Sequence, residues 1–330
     1  MNLAPLDITS LPKAELHCHL EGAARPELVR TLAQRHGIEL AHVFDEDGLY
    51  RQGDFTTFLA TYDEVVEVFQ TLDDYADLAA DHFSWLAEQG AIYGEIFLSP
   101  SHAHKSAFGW PALVEAVVQG IERARETHDI EGRIIATGVR HFGPDDVLEA
   151  AQTVAEHPHP WVTGFGLAGD ERQHHPRDFA PAFDVARDAG LGLTAHAGEH
   201  LGAQSVLDVL DWLKVSRIGH GVRAVEDEAV VDRLVAERIV LEVCPGSNLA
   251  LGVYEEPADH PLGKLWDAGV RITLNADDPP FFHTSLADEY AFAANEKRLE
   301  EADLQEITRT AVEAAFVDEP TRARLLAKVV

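Results

Sequence analysis

Residues that commonly bind metals or transfer protons are concentrated in a few short segments of this 330-residue chain. In the first segment, His17 and His19 flank Cys18. Alternate residues of a strand face the same side, so both imidazoles can point at one metal ion while Cys18 points the opposite way. A His-x-His pair alone is also compatible with chance or packing, and Cys18 is more typical of a small packing residue than of a ligand. The pair therefore indicates a metal site only if other segments supply further ligands.

The second segment contains His196 and Glu199 and lies at the end of another apolar run. No regular strand places residues at this spacing on one face, but Gly198 between them permits a turn. After such a turn, His196 can be a third nitrogen ligand while Glu199 stands beside the metal as an acid or base. The alternative for this segment alone is a histidine at a strand end next to a solvated glutamate.

Of two further segments, one carries a histidine and the other carries a pair of carboxylates. His220 lies between two glycines, which leave room for a substrate or a metal-bound water, although a lone histidine there is more often structural. Asp277 and Asp278 precede two prolines, which end a strand and allow both side chains to enter one site. Adjacent carboxylates repel each other unless a cation is bound or one is protonated. A metal ligand beside a substrate-binding carboxyl meets this condition, and a pair of solvated surface acids is the alternative.

Eight short apolar or β-branched runs must position these segments, and helical patterns separate the runs. We predict strands over residues 14–20, 93–99, 133–139, 162–168, 192–197, 217–221, 240–245 and 271–276. Parallel strands that alternate with helices predict an α/β fold, a (β/α)8 TIM-type barrel, with residues 1–330 as one domain. All four chemical segments lie at the C-terminal ends of predicted strands, where such a barrel gathers its active site. Three histidines and one carboxylate in one place suit a single Zn²⁺ with a position left for water.

The connection after the first predicted strand, residues 21–92, is much longer than one crossover helix requires. We predict extra helices there, one over residues 54–70 with Asp54 as its cap and one over residues 73–89 that ends at Gly90. Such helices act as a lid or pocket wall, or they contribute packing alone. Residues 303–330 are also helical in pattern, and no chemistry is assigned to them.

Composition narrows the possible partners. The chain has 57 acidic and 26 basic residues, for a formal net charge of -31, which repels phosphate backbones and anionic lipid surfaces. We therefore expect neither nucleic acid nor a membrane as a partner, and no apolar run is long enough for a membrane span. Residues 1–13 lack the features of a signal peptide, and two cysteines make a disulfide framework unlikely, so the expected location is the cytoplasm. The oligomeric state is left open.

In these segments, taken in order, the chain resembles the adenosine deaminase family, a branch of the metal-dependent amidohydrolase barrels. The similarity runs through residues 12–22, 167–171, 196–199, 217–221, 244–248 and 275–279. It spans nearly the whole chain, and the ordered set is far more specific than any one motif. The resemblance implies the barrel fold and a small purine as the partner.

The resemblance also implies a role for each site residue. The implied zinc ligands are His17, His19, His196 and Asp277. The implied substrate-binding residues are His19, Glu21, Gly169 and Asp278. Glu199 would donate a proton to purine N1, and His220 would orient the metal-bound water and help remove its proton. Asp278 would bond to N7 and the attacking hydroxyl, Gly169 would meet N3 through its backbone, and the position of Glu21 contacts the sugar in family members.

Adenosine is the substrate that we predict from the resemblance, with inosine and ammonia as products and 2'-deoxyadenosine as a second substrate. Many family members have Asp where this chain has Glu21, and Glu also occurs there in relatives that act on adenine. Against adenine, the segment from Gly169 to Glu171 is similar to the adenosine group, whereas adenine-specific relatives tend to carry serine there. The alternatives are a deaminase of adenine or another modified aminopurine, a metallophosphoesterase, and a purine-binding relative without activity.

Overall fold

The computed structural model describes residues 6–105 and 108–329. Within these ranges, eight parallel strands follow one another in chain order around one sheet, and helices separate successive strands. This is the predicted (β/α)8 barrel. The strands are β1 (Lys13–Glu15), β2 (Ala91–Leu98), β3 (Glu131–Val139), β4 (Val162–Ala168), β5 (Gly192–Ala197), β6 (Arg217–His220), β7 (Val240–Val243) and β8 (Arg271–Leu274).

Helices cover the outside of the barrel. The α-helices of the described ranges are α1 (Pro26–His36), α2 (Phe55–Val66), α3 (Leu72–Glu88), α4 (Pro100–Lys105), α5 (Trp110–Thr127), α6 (Pro144–Glu156), α7 (Ala180–Asp188), α8 (Ala203–Trp212), α9 (Glu228–Glu237), α10 (Pro245–Ala250), α11 (Leu262–Asp267), α12 (Leu286–Glu296), α13 (Glu301–Ala314) and α14 (Glu319–Leu326). Three of them, α1 to α3, lie between β1 and β2, which confirms the extra helices expected after the first strand. None of these helices is both long and apolar enough to cross a bilayer.

The inserted helices follow their local sequence signals closely. The Asp54 side chain caps α2 by accepting a hydrogen bond from the Thr57 backbone nitrogen at 2.8 Å, as expected. Helix α3 begins slightly earlier than predicted because Thr71 caps it, and Gly90 follows it with a φ of 86°. The C-terminal helical pattern divides into α13 and α14. Residues 1–5, at the start of the segment without signal-peptide features, and residue 330, at the end of the C-terminal helical pattern, lie outside the described residues.

The first strand is much shorter than predicted. The sequence predicts residues 14–20, but the ladder ends at Glu15, and only isolated bridges follow, between Cys18 and Asp277 and between His19 and Phe97. Asp277 has a φ of 65°, in the left-handed region, so the chain that leaves β8 turns and cannot continue a regular ladder. The predicted ends of β7 and β8 are also too late, because α10 starts at residue 245 and the pairing of β7 with β8 ends at Leu274, shortly before the turn at Asp277.

Side chains complete the seam between β1 and β8. The Leu16 backbone nitrogen donates to the Asn275 side-chain oxygen at 2.8 Å, and the Ala276 backbone nitrogen donates to Glu15 Oε1 at 2.9 Å. These buried bonds replace ladder bonds where the backbones diverge. The segments that follow, which carry His17 and Asp277, are therefore held next to each other.

Candidate active site

Four of the predicted site residues converge at the C-terminal end of the barrel. One nitrogen from each of His17, His19 and His196 and one oxygen of Asp277 lie within 4.8 Å of one another. Asp277 Oδ1 is 3.5 Å from His17 Nε2 and 3.4 Å from His19 Nε2. His17 Nε2 and Asp277 Oδ1 are buried and have no hydrogen-bond partner. A cation that accepted both lone pairs would satisfy them, so this set fits a metal ion.

Two other groups in the described ranges could also hold a metal ion. They are His17, His220, Cys244 and Asp277, and separately Glu15, Cys18 and His82. Each requires a cysteine thiolate, but burial raises the pKa of both the Cys18 and Cys244 thiols well above the usual value. The group of three histidines and Asp277 needs no thiolate, so it is the better metal site.

Hydrogen bonds fix the ring orientation of two of the histidines. His196 Nδ1 is 2.9 Å from the Leu167 carbonyl oxygen, which can only accept, so Nδ1 carries the hydrogen and Nε2 keeps its lone pair. His17 Nδ1 is 2.8 Å from Glu242 Oε2. Burial opposes ionisation of Glu242, but Arg217 and His17 hold the pKa of this carboxyl below its usual value, so it too accepts from His17. Both rings therefore present Nε2 to the shared site, as metal-binding histidines do.

Glycine at position 219 makes the close approach of the rings possible. A Cβ atom there would lie 2.7 Å from His17 Cε1 and 3.2 Å from His196 Cγ. Gly221, with a φ of 68°, lies against Leu241 instead. From the sequence, these two glycines were expected to leave room for a substrate or a water molecule beside His220. That interpretation was wrong, because the space they leave holds other side chains of the protein.

The neighbouring carboxyls Asp277 and Asp278 have opposite protonation preferences. Burial, reinforced by the negative charge of Asp277, raises the pKa of Asp278 well above its usual value. Burial acts on Asp277 as well, but the facing imidazoles of His17, His220 and His19 hold its pKa well below the usual value. One carboxylate and one neutral acid can therefore share the site. Gly22 lets Asp278 occupy this place, since a Cβ on Gly22 would lie 1.6 Å from Asp278 Oδ1.

Glu199 and His220 lie beside the ligand set, on two different segments. Glu199 Oε2 is 3.7 Å from His220 Nε2, which is itself 3.9 Å from Asp277 Oδ2. Burial raises the pKa of Glu199 well above its usual value, and the charge of Asp277 adds to this effect. Both effects favour the neutral form of Glu199, which carries a proton. Gly198 has a φ of 67°, so the turn that the sequence required between His196 and Glu199 is present.

Glu171 holds the turn that carries Glu199, although the sequence analysis assigned it no role. Its carboxylate accepts four backbone N–H bonds, at 2.7 Å from Gly198, 3.1 Å from Glu199, 2.8 Å from His200 and 3.0 Å from Leu201. Arg140 bridges the Glu171 and His196 carbonyl oxygens. Nothing in the sequence marks Glu171 as a buried acceptor, because the bonds it makes depend on the folded path of a distant loop.

A cavity of about 140 Å³ opens beside these groups. Helix α2 forms one wall with Phe58, Leu59 and Tyr62, so this inserted helix is a pocket wall, one of the two roles considered for it. Glu21, only 2% exposed, lies in the same cavity and accepts hydrogen bonds from Tyr75 at 3.4 Å and from Tyr62 at 3.5 Å. Gly169, with a φ of 93°, also lines the cavity.

Comparison with known proteins gives the family. The model of the adenosine deaminase family matches residues 12–330. The chain belongs to this family. An adenine deaminase of Sinorhizobium medicae (strain WSM419) is 53% identical to this deaminase over 317 residues, which cover 96% of the chain and 98% of the relative.

Solved structures agree with this membership. The crystal structure of adenine deaminase from Arthrobacter aurescens matches this chain with a TM-score of 0.88 and 30% sequence identity. The match covers 97% of this chain and 98% of the chain in that crystal structure. An amidohydrolase from Burkholderia ambifaria, solved with bound zinc, has the same fold, with a TM-score of 0.87 and 24% sequence identity. The match covers 100% of this chain and 93% of the amidohydrolase chain. The family match and the adenine deaminases at 53% and 30% identity show that this deaminase is a hydrolase of a C–N bond. The names of the two closer relatives agree with adenine, the alternative of the sequence analysis, and not with adenosine.

Replacing Glu242 with Gln tests how far the deaminase depends on the partner of His17. The change removes the negative charge and turns an amide NH₂ towards either His17 or Arg217, both of which are donors. We expect affinity for Zn²⁺ to fall about 10- to 100-fold, measured by competition with a chelator. Glu237→Gln, which alters an exposed partner of Arg233, is the matched control and should leave the affinity unchanged. Equal affinity for Zn²⁺ in Glu242→Gln and in the control would show that Glu242 makes no contribution to zinc binding.

Proposed function

We propose that this deaminase hydrolyses the exocyclic C–N bond of adenine and releases hypoxanthine and ammonia, with one Zn²⁺ per chain. The observation that carries the proposal is the placement of Glu199, a buried acid with a raised pKa that faces the cavity next to three histidines and a carboxylate. Adenine as the substrate is supported by the relatives of that name at 53% and 30% identity.

The donor set suits zinc, and the proposed ligands are His17, His19, His196 and Asp277. When bound, zinc would supply a strong nucleophile near neutral pH by lowering the pKa of a water molecule to about 7. The chain itself contributes the rest of the chemistry. Asp277 stays ionised through its histidine partners, and the turn at residue 277 aims its carboxylate at the rings.

Protonation of the purine ring is the proposed task of Glu199. The carbon that bears the amino group is a poor electrophile because the ring is aromatic, and a proton at N1 withdraws electron density from it. Asp278, as a neutral acid, can donate to N7, a ring nitrogen that only accepts. The Gly169 backbone would meet N3, and His220 and His19 would contact the reacting end of the substrate.

Glu21 favours the free base over the nucleoside. Adenine carries an N9–H, which can donate to a carboxylate, whereas adenosine has no hydrogen there and brings a ribose. Two tyrosine hydroxyls hold the Glu21 carboxylate in the cavity, where we propose that it accepts from N9–H. Its side chain then occupies space that a ribose would need, and a ribose would leave this buried acceptor without a ring donor.

The other functions considered from the sequence receive less support. A metallophosphoesterase usually holds more than one metal ion, whereas the two other candidate metal groups among the described residues each require a buried cysteine thiolate. A purine-binding relative without activity has no need of a neutral acid beside a metal site. Adenosine, 2'-deoxyadenosine and other modified aminopurines remain the competing substrates within the family.

A substrate panel tests the proposal directly. Ammonia release from adenine, adenosine, 2'-deoxyadenosine and AMP, measured on one zinc-loaded preparation, should give a kcat/KM for adenine at least about tenfold above that of every other compound. The reason is the buried acceptor at Glu21, which only the base can satisfy through a ring N–H. An equal or higher kcat/KM for adenosine would contradict adenine as the substrate.

Shortening Glu21 should relax this preference. In Glu21→Asp the carboxylate retreats from N9–H and leaves space, so kcat/KM for adenine should fall while the adenine-to-adenosine ratio drops about tenfold or more. Asp63→Glu, a change at the exposed rim of the same cavity, is the control and should leave the ratio unaltered. If the two variants gave the same ratio as the unaltered chain, Glu21 would have no part in the selection.

Glu199→Gln tests the proton donor. The amide keeps the size of the side chain but cannot transfer a proton to N1, so kcat should fall about 10²- to 10⁴-fold while zinc content stays at one per chain. In the unaltered enzyme, activity should also fall as pH rises through the raised pKa of Glu199, because only the neutral acid can donate. Full activity of the variant would exclude Glu199 from the mechanism.

A further inference from the structure

The 244–248 segment belongs to the family resemblance, yet neither the sequence analysis nor the proposed mechanism gives it a role. In the structure its last residue, Asn248, lies in α10, is completely buried and stands between two buried histidines. Asn248 Nδ2 is 3.2 Å from His220 Nδ1, and Asn248 Oδ1 is 3.1 Å from His260 Nε2. A continuous chain of side chains therefore runs from His260 to the active site.

A backbone donor sets the direction of every hydrogen bond in this chain. The Leu262 backbone nitrogen is 3.3 Å from His260 Nδ1, and because it can only donate, Nδ1 must accept. Burial lowers the pKa of His260 to about 3, so the ring is neutral and its one hydrogen is on Nε2. His260 then donates to Asn248 Oδ1, which turns the Asn248 NH₂ group towards His220. His220 Nδ1 accepts, and its hydrogen is on Nε2.

We propose that Asn248 and His260 are positioning residues that hold His220 in the tautomer with hydrogen on Nε2. This nitrogen points between Glu199 Oε2, at 3.7 Å, and Asp277 Oδ2, at 3.9 Å. Given the proposed deamination, His220 there donates a hydrogen bond to the oxygen of the attacking water and directs a lone pair of that oxygen towards the purine. The role implied by the family resemblance thus narrows from orienting the water and removing its proton to orienting it.

The surroundings make this chain rigid before any substrate arrives. The Asn248 carbonyl oxygen accepts from the Val253 and Tyr254 backbone nitrogens at 2.9 and 3.3 Å, which fixes the end of α10. The His260 ring packs between the rings of Tyr254 and Phe292, with centroids 5.3 and 5.5 Å away. Rotation of either side chain would leave a buried polar group without a partner, which is costly.

Nitrogen NMR reads the tautomer without relying on activity. Long-range proton–nitrogen correlation spectra of ¹⁵N-histidine-labelled protein, recorded with and without zinc, separate a protonated Nε2 from a protonated Nδ1. The His220 signals are assigned by their loss in His220→Gln. We expect His220 to have hydrogen on Nε2 and a lone pair on Nδ1 in both samples. Hydrogen on His220 Nδ1 in the unaltered protein would overturn the proposal, whatever the substrate.

Paired variants of His260 separate the hydrogen bond from simple packing. His260→Leu removes the donor to Asn248 Oδ1, so kcat on adenine should fall about 10- to 100-fold and the His220 tautomer should become mixed. His260→Gln keeps an N–H at nearly the place of Nε2 and should restore both. Phe292→Leu, which loosens the packing of His260 but leaves the hydrogen-bond chain intact, is the matched control and should keep the tautomer and most of kcat.

The outcomes separate this inference from the proposed function. A loss of kcat in His260→Leu with an unchanged tautomer, or a failure of His260→Gln to restore activity, would contradict the positioning role and leave a structural one. A correct tautomer in a protein that does not deaminate adenine would contradict the proposed function but not the hydrogen-bond chain.

Discussion

The contact of one buried carboxylate with several imidazoles is the constraint on which the rest of the structure depends. Asp277 approaches His17, His19 and His220 within 4 Å, in a place with almost no access to solvent. A buried charge of this kind is tolerated only with partners or a cation. The incomplete ladder between β1 and β8 follows from it, because the left-handed turn at residue 277 that aims the carboxylate inward also ends the strand pairing.

Burial then divides the carboxyl groups of the site into two kinds. Basic partners favour the ionised form of Asp277 and Glu242, whereas burial and the negative charge of Asp277 favour the neutral form of Glu199 and Asp278. This separation gives one site both the anions that suit a metal and the acids that suit a purine. Because N1 and N7 of the purine accept hydrogen bonds, neutral acids recognise these two nitrogens better than carboxylates would. Glu21, held by two tyrosines, is the group that distinguishes a free base from a nucleoside in this account.

The sequence could predict the barrel, its inserted helices and the convergence of His17, His19, His196 and Asp277, because strand ends of one barrel meet at one mouth. It could not predict the length of β1, which depends on the turn at the end of β8. It also missed Glu171, Glu242 and His260, since each acts through a contact with a segment far away in the chain. The substrate was the weakest prediction: the segment from Gly169 to Glu171 was given more weight than Glu21, and the names of the relatives favour adenine.

X-ray absorption at the zinc edge of the purified protein tests the central claim most directly, since it reports the atoms bound to the metal. The account predicts one zinc per chain, surrounded by nitrogen and oxygen atoms at about 2.0–2.2 Å with the multiple-scattering pattern of three imidazoles. A sulfur neighbour at about 2.3 Å would instead place the metal in one of the cysteine-containing groups, with Cys244 or Cys18. That result, or a protein that binds no zinc, would contradict the site of three histidines and Asp277.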